Sequence, residues 1–341
     1  MRAAIFGTGS LGTILGAYIT KAGGQIDLID QFAEHVNELN KKGAHVTGTV
    51  DFTVPVKALT PDKMRGKYSL IFLMTKQLDN RKVVKSLAPY LEKDGIICTL
   101  QNGIPELSVA DVIGEDKVMG CAVAWGATLL CPGTVELTSQ PEDLSFSLGR
   151  MSGVIDDKLN EVKSILELMC PVEVEKNFMG VRWSKLLINA SCSGMSTVLG
   201  GTFGSVTQDK ASRVCVQAIM KECIDVSRAA GIRIEPMQGK DIVKFLDYNN
   251  FLKKKFSSFI IPIAIKPHAK IKASMLQDLE KGKKCEIDAI NGVVCEYGRK
   301  YKVPTPYNDK VVEIVKGIEN GKYKYETGNI ALFADLGKKK K

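Results

Sequence analysis

Gly7-Thr8-Gly9-Ser10-Leu11-Gly12 follows directly on a short apolar run, Ala3 to Phe6, and opens a segment with helical periodicity from Ser10 to Ala22. A strand that ends in three glycines at this spacing and re-enters the fold as a helix narrows the choice of architecture sharply. Gly7 permits a tight turn, Gly9 lets a pyrophosphate approach the backbone, and Gly12 lets helix and strand pack closely. The helix start then offers free N–H groups and a positive partial charge to an anion. This predicts a dinucleotide-binding βαβ unit, with Gly7, Thr8, Gly9, Ser10, Leu11 and Gly12 forming the phosphate turn. Asp30 ends the second predicted strand, where a carboxylate accepts hydrogen bonds from ribose hydroxyls and repels a 2′-phosphate. NAD is therefore the expected cofactor, with NADP as the alternative.

The pattern of alternating short β-branched runs and longer helical ones continues to about Glu175, which predicts further βαβ units. Strands are expected at Gln25 to Ile29, Ser69 to Thr75, Ile96 to Leu100, Met119 to Ala124, Thr134 to Thr138, Leu144 to Leu148 and Val172 to Val174. Helices are expected at Gln77 to Leu91 and Asp156 to Met169. The run SLIFLMT at Ser69 to Thr75 is apolar throughout, as suits a strand covered on both faces. After Phe178-Met179-Gly180 no further clear strand appears and helical periodicity dominates to Gly317. The expected fold is α/β: an N-terminal Rossmann-type doubly wound parallel sheet over 1–178, and an all-helical substrate and catalytic domain over 179–341 that ends in a lysine-rich tail. With 341 residues, two cores are the default expectation.

Charge and cysteine usage exclude several classes. Four of the 47 basic residues are Lys338 to Lys341, so the body carries only +5 of the net +9. That suits an anionic cofactor and a small anionic substrate, yet the basic residues do not alternate with aromatics as a nucleic-acid surface requires. No apolar run reaches the roughly 20 residues of a membrane span. The stretch Phe256 to Ile265 is short and carries Pro262. Met1 to Phe6 is strand-like and lacks the zones of a signal peptide, so the expectation is a cytoplasmic protein with no nucleic-acid or membrane partner; a homodimer is compatible with it. The nine cysteines include no Cys-x-x-Cys pair, which argues against disulfides and against a metal site. Cys192 reads as a small packing residue.

A second constellation lies in the helical half. Lys185 and Asn189 are four residues apart on one helix face with Ser193 a further turn along, three polar groups in one stripe. Ser274-Met275-Leu276-Gln277-Asp278 leads after a short basic turn to Glu286-Ile287-Asp288, with Asn291 beyond. Hydride transfer to a ketone needs a proton donor at the developing alkoxide, and a lysine tuned by neighbouring charges can supply it. Taken singly, Lys185 and Glu286 read equally well as solvated helix residues, and Asn102-Gly103 as a turn dipeptide.

In combination these residues resemble the ketopantoate reductase (2-dehydropantoate 2-reductase) family. The resemblance runs over nearly the whole chain: Gly7 to Gly12, Thr75-Lys76, Gln101-Asn102-Gly103, Arg182-Trp183-x-Lys185 with Asn189, and Ser274 to Asp278 with Glu286-Ile287-Asp288 and Asn291-Gly292. It implies an NAD(P)H-dependent reduction of a small 2-oxo acid such as ketopantoate, in pantothenate synthesis or on a related acid. It further implies that Lys185 protonates the 2-oxo oxygen and that Glu286 helps to orient the substrate and sets the charge around Lys185. Asn189, Ser193 and Ser274 are the implied substrate contacts, and Asn102 and Lys76 the implied neighbours of the cofactor.

Three departures bear on specificity. Ser193 stands where the family commonly has a second asparagine, a further asparagine near Phe203 is not evident, and Asp30-Gln31 replaces the arginine often found after the second strand. The competing expectations are an opine-type or hydroxyacid dehydrogenase and a non-catalytic NADH-binding sensor.

Overall fold

The computed structural model describes residues 2–237 and 239–336. The Lys338 to Lys341 tail lies outside the described residues. The chain divides into two compact units, one of residues up to Gln101 together with Pro105–Phe178, the other of Asn102–Ile104 together with the residues from Met179 on.

The strands of the first unit are β1 (Ala3–Phe6), β2 (Ile26–Ile29), β3 (Ala44–Gly48), β4 (Phe52–Val54), β5 (Lys57–Leu59), β6 (Tyr68–Leu73), β7 (Leu91–Thr99), β8 (Val118–Val123), β9 (Ala127–Cys131), β10 (Thr134–Leu137), β11 (Phe146–Gly149) and β12 (Val172–Val174). Its helices are α1 (Ser10–Lys21), α2 (Ala33–Lys42), α3 (Asn80–Leu87), α4 (Pro105–Ile113) and α5 (Asp157–Leu166). The main sheet has the order β12-β11-β8-β7-β6-β1-β2-β5. The strands from β8 through β7, β6, β1 and β2 to β5 run parallel.

Period-two alternation sends Ala3 and Ile5, Leu70 and Phe72, and Ile96 and Cys98 to one face, where they meet Ile14, Leu15, Leu159 and Val162. Ala4, Ile71, Leu73 and Ile97 go to the other face and meet Val84, Leu87 and Val109. Helices therefore cover both faces of the sheet, which is why Ser69 to Thr75 is apolar throughout.

Two features differ from the sequence expectation. The sheet is not wholly parallel, because β11 pairs antiparallel with β8 and carries β12 with it. Residues 44–54 and 127–137 also build a second sheet, of order β4-β3-β10-β9. Its strands are short and half exposed, so their apolar signal is weak. Val46, Val135 and Leu137 nevertheless join the core beside α1, and Phe52 meets the Tyr18 ring edge-on at 5.2 Å. The helix expected from Gln77 starts later, where the Asp79 side chain accepts the Lys82 N–H at 3.2 Å, and gives way at Ala88 to a single tighter turn containing Pro89.

The helices of the second unit are α6 (Phe178–Ile188), α7 (Gly194–Leu199), α8 (Phe203–Gln208), α9 (Lys210–Ala229), α10 (Ile242–Leu246), α11 (Phe251–Ile265), α12 (Ser274–Glu280), α13 (Val293–Tyr301) and α14 (Pro306–Glu319). Two π-helical segments, Asn189–Ser193 and Asp288–Gly292, connect α6 to α7 and lead into α13. One core built on Trp183, Leu187, Met195, Ile219, Leu276 and Ile314 fills this unit, and Ile104 belongs to it. Among the described residues no helix is long and apolar enough to cross a membrane.

Candidate functional site

At the end of β1 the backbone turns through Gly7 at φ +98°, a conformation that L side chains rarely adopt. A Cβ there would lie 2.5 Å from the Thr75 nitrogen, and one at Gly12 would lie 2.5 Å from the Gly7 carbonyl oxygen. A Cβ at Gly9 would meet nothing within 4 Å. Two of the three glycines are therefore imposed by packing within the fold, and the third leaves open space beside the backbone. Gly9 is the N-cap of α1 and provides no side-chain acceptor, so the first N–H groups of the helix are left for a ligand. The buried Thr8 hydroxyl likewise has no hydrogen-bond partner among the described residues. Ser10 and Leu11, in the first turn of α1, are partly exposed.

The turn is held from below. Thr13 donates its hydroxyl to the Thr8 carbonyl at 2.8 Å and lies 3.1 Å from His35 Nε2, while His35 Nδ1 accepts the Gly133 N–H at 3.0 Å. Because Nδ1 accepts, the ring proton resides on Nε2 and points to Thr13. The second sheet, through Gly133 in its hairpin, thus braces the glycine turn. Burial holds His35 below the ordinary imidazole range although Asp30 pulls the other way. Half-buried Asp30 accepts the Phe32 N–H at 2.9 Å, which fixes its carboxylate at the end of β2.

The loops after β6 and β7 are tied to each other. Gln101 and Asn80 exchange amide hydrogen bonds at 2.8 and 2.9 Å, and Gln101 also donates to the Thr75 carbonyl at 2.8 Å. Thr75 is the residue against which Gly7 packs, so the chain ends of β1, β6 and β7 form one braced edge. Lys76 is exposed beside it, and half-buried Asn102 follows Gln101 and groups with the second unit.

In the second unit Lys185 is half-buried near the end of α6, and Asn189, also half-buried, is the first residue of the π segment. Ser193, the last residue of that segment, is buried. Glu286 is buried at 4% exposure just before the second π segment, whereas Ser274, the first residue of α12, is exposed. Cys192 is fully buried, and burial pushes its thiol up to about 12, which suits a packing role.

Comparison with known proteins bears on both halves of this arrangement. The family described as ketopantoate reductase PanE/ApbA matches residues 3–151, and its C-terminal counterpart matches 177–319. The chain belongs to the ketopantoate reductase family.

A 2-dehydropantoate 2-reductase from Aquifex aeolicus is 26% identical, covering 94% of this chain and 97% of the relative. One from Pyrococcus horikoshii is 25% identical over 94% and 98%. Among solved structures, a PanE/ApbA family ketopantoate reductase from Ralstonia eutropha JMP134 superposes with a TM-score of 0.80 at 23% identity, covering 94% of this chain and 99% of the other. The ternary structure of D-mandelate dehydrogenase with NADH and anilino(oxo)acetate superposes at 0.79 with the same identity and coverage. Membership makes the chain an oxidoreductase that uses a nicotinamide dinucleotide. The open side of Gly9, the uncapped start of α1 and the unpartnered Thr8 hydroxyl fit such a group.

Sequence reasoning passed over the bracing residues Thr13, His35 and Asn80, and the buried carboxylate of Glu222 in the second unit. Glu222 carried a usable signal. It shares the stripe Cys215, Ile219, Glu222, Val226, spaced four, three and four, whose members are all buried. A carboxylate on a core stripe requires partners.

Because His35 is neutral in the fold, its contribution to stability is complete above its unfolded pKa of about 6.5 and is lost as pH falls below that. His35→Leu should cost about 1–3 kcal/mol near neutral pH through the unpaired Gly133 N–H and the lost bond to the Thr13 hydroxyl. The gap in unfolding free energy between the native protein and this variant, read by urea titration, should narrow from about pH 7 to about pH 5. A gap that widens or stays constant would show that the imidazole is not held neutral.

Proposed function

We propose that this chain reduces a small anionic 2-oxo acid to the 2-hydroxy acid, with 2-dehydropantoate as the first substrate to test. The observation that carries this reading is the placement of Lys185 and Glu286, a half-buried ammonium and a buried carboxylate, each just before a π segment in one helical unit. π turns concentrate at functional sites because they release backbone groups and re-aim side chains.

The bound reduced nicotinamide supplies the hydride to the carbonyl carbon. Lys185 donates a proton from Nζ to the 2-oxo oxygen as that oxygen gains charge, and is re-protonated from solvent. Glu286 helps to orient the substrate and sets the charge around Lys185, while Asn189, Ser193 and Ser274 bind the substrate. In the first unit the N–H groups of the Gly7 to Gly12 turn, with Thr8, Ser10 and Leu11, hold the pyrophosphate. Asp30 takes the ribose hydroxyls, and Lys76 and Asn102 line the nicotinamide end.

A second reading is favoured by Ser193. A buried serine in place of the longer asparagine implied by the family resemblance leaves more room and one fewer amide, which suits a bulkier or less polar 2-oxo acid and hence a hydroxyacid dehydrogenase. The cofactor is NADH in either case, because the carboxylate of Asp30 opposes a 2′-phosphate. The nine free cysteines, eight of them buried, accord with a reducing cytoplasmic setting. Helix α11 exposes Leu252, Phe256, Phe259 and Ile263 in a four-three-four stripe, the spacing of a helix-pairing seam, and this supports a homodimer.

Lys185→Ala should lower kcat by about 100-fold or more with NADH affinity nearly unchanged, since the loss falls on the proton-transfer step. Turnover at the native rate would remove Lys185 from the mechanism, and absence of turnover in the native protein across a panel of 2-oxo acids would leave only a dinucleotide-binding protein. The ratio of kcat/KM for NADH over NADPH should exceed one and fall in Asp30→Ala, measured at fixed ionic strength because salt screens an exposed carboxylate. Sedimentation should give twice the chain mass for the native protein and the chain mass for a Phe256→Glu/Phe259→Glu variant. A native monomer would refute the dimer.

A further inference from the structure

The two π segments of the second unit are joined by one buried side chain. Asn291, fully buried in the segment Asp288–Gly292, donates from Nδ2 to the Ala190 carbonyl in the segment Asn189–Ser193 at 2.9 Å. Its second Nδ2 hydrogen goes to Asn308 Oδ1, also at 2.9 Å. Asn308 in turn donates from Nδ2 to Glu222 Oε2 at 2.7 Å. Glu222 further accepts the backbone N–H groups of Tyr307 and Asn308 at 2.9 and 3.0 Å, so its carboxylate caps the start of α14.

We propose that Asn291, oriented through Asn308 by the Glu222 carboxylate, is a positioning residue that holds the segments following Lys185 and Glu286 in one register. This rests on the roles given above to Lys185, Asn189 and Glu286.

The order of donors is forced along the line. A carboxylate that already receives two backbone N–H groups accepts and does not donate, so Asn308 must turn its NH2 toward it and its oxygen toward Asn291. Asn291 must then turn its own NH2 toward Asn308, and the remaining hydrogen meets Ala190. The loosened turn needs that donor, because its carbonyls are not all paired within the helix. Ser191 donates to the Leu187 carbonyl and Thr197 to the Ser193 carbonyl, both at 2.7 Å, from side chains of the same stretch. Ala190 is supplied from another element.

Packing alone does not account for this arrangement. Asn291 Oδ1 is buried with no hydrogen-bond partner among the described residues, and an unmet acceptor of this kind costs about 1–3 kcal/mol. Gly194 has no need of glycine for its dihedral angles, since its φ is −57°. A Cβ there would lie 2.9 Å from Asn291 Oδ1 and 3.1 Å from Nδ2, so the glycine makes room for this amide. An apolar side chain at 291 would remove the polar cost and leave the segments free to slide.

The test uses the full chain with Asn308→Asp, which sets acceptor against acceptor at Glu222, and the exchange variant Glu222→Gln/Asn308→Asp, which restores a donor–acceptor pair. Asn308→Asp should lower kcat for the oxo acid by about 10- to 100-fold, as small misplacements of catalytic groups do, while NADH affinity stays within about 2-fold. The exchange variant should regain most of the loss. Amide hydrogen exchange across 189–194 should quicken in Asn308→Asp and slow again in the exchange variant, with the Ile219 to Val226 stretch unchanged. Should Asn308→Asp fail to fold, Asn308→Leu, which removes both the acceptor for Asn291 and the donor to Glu222, is read by the same kcat and amide-exchange measurements. Native kcat in the single variants, or a loss that follows melting temperature and is not recovered by exchange, overturns the inference. If the native protein turns over no 2-oxo acid, the functional reading fails by itself, and unaltered amide exchange at 189–194 would then overturn the positioning role.

Discussion

The first unit depends on a contact between two stretches of backbone at the end of β1. Gly7 lies so close to the Thr75 nitrogen that no side chain fits between them, and its positive φ excludes most other residues in any case. This contact brings the end of β1 level with the loop after β6. Gln101 then carries the same level across to β7 through Thr75 and Asn80. In a sheet of this order β1 has β6 on one side and β2 on the other, and the chain leaves it in opposite directions. Ligands bind at such a point because the connections part there and expose strand ends and a helix start together. Two glycines are required by the fold itself, so the third, Gly9, is the position at which the open space is left for something else.

The second unit reaches its geometry by other means. Lys185, Asn189 and Glu286, the side chains proposed to act, stand in or just before π segments, and an interruption of that kind weakens the helix unless the released carbonyls find donors. The donors here are Ser191, Thr197 and Asn291. Burying Glu222 to orient an amide line is not the cheapest packing solution. Burial pushes its carboxyl up to about 7, even though three N–H groups favour the charged form. An apolar residue would avoid that cost, but it would not fix which way the two amides point. The unit accepts a penalty in stability in return for a fixed orientation of the two amides.

How much of this was legible beforehand follows from the range of each interaction. The glycine turn, the first helix, the apolar β6 run and the change of texture near Gly180 are local patterns, and residue spacing alone specifies them. Lys185, Asn189 and Glu286 could be picked out because their motifs are local as well. The second sheet was missed because its strands are short and half exposed, and they acquire a buried face only when β3 and β10, about ninety residues apart in the chain, lie against α1. The antiparallel β11 and β12 escaped for a similar reason, since strand direction follows from how the chain returns and leaves no trace in composition.

The sequence by itself determined the turn at Gly7 to Gly12, the strand and helix around it, and the identities of the groups that carry charge in the helical half. Those depend on backbone sterics and on periodicity over a few residues. Only the tertiary structure decided that His35 braces the glycine turn and that Glu222 meets Asn308, which in turn meets Asn291. Each of these is a contact between residues distant in the chain, and a hydrogen bond between them has direction only once both ends have been folded into place.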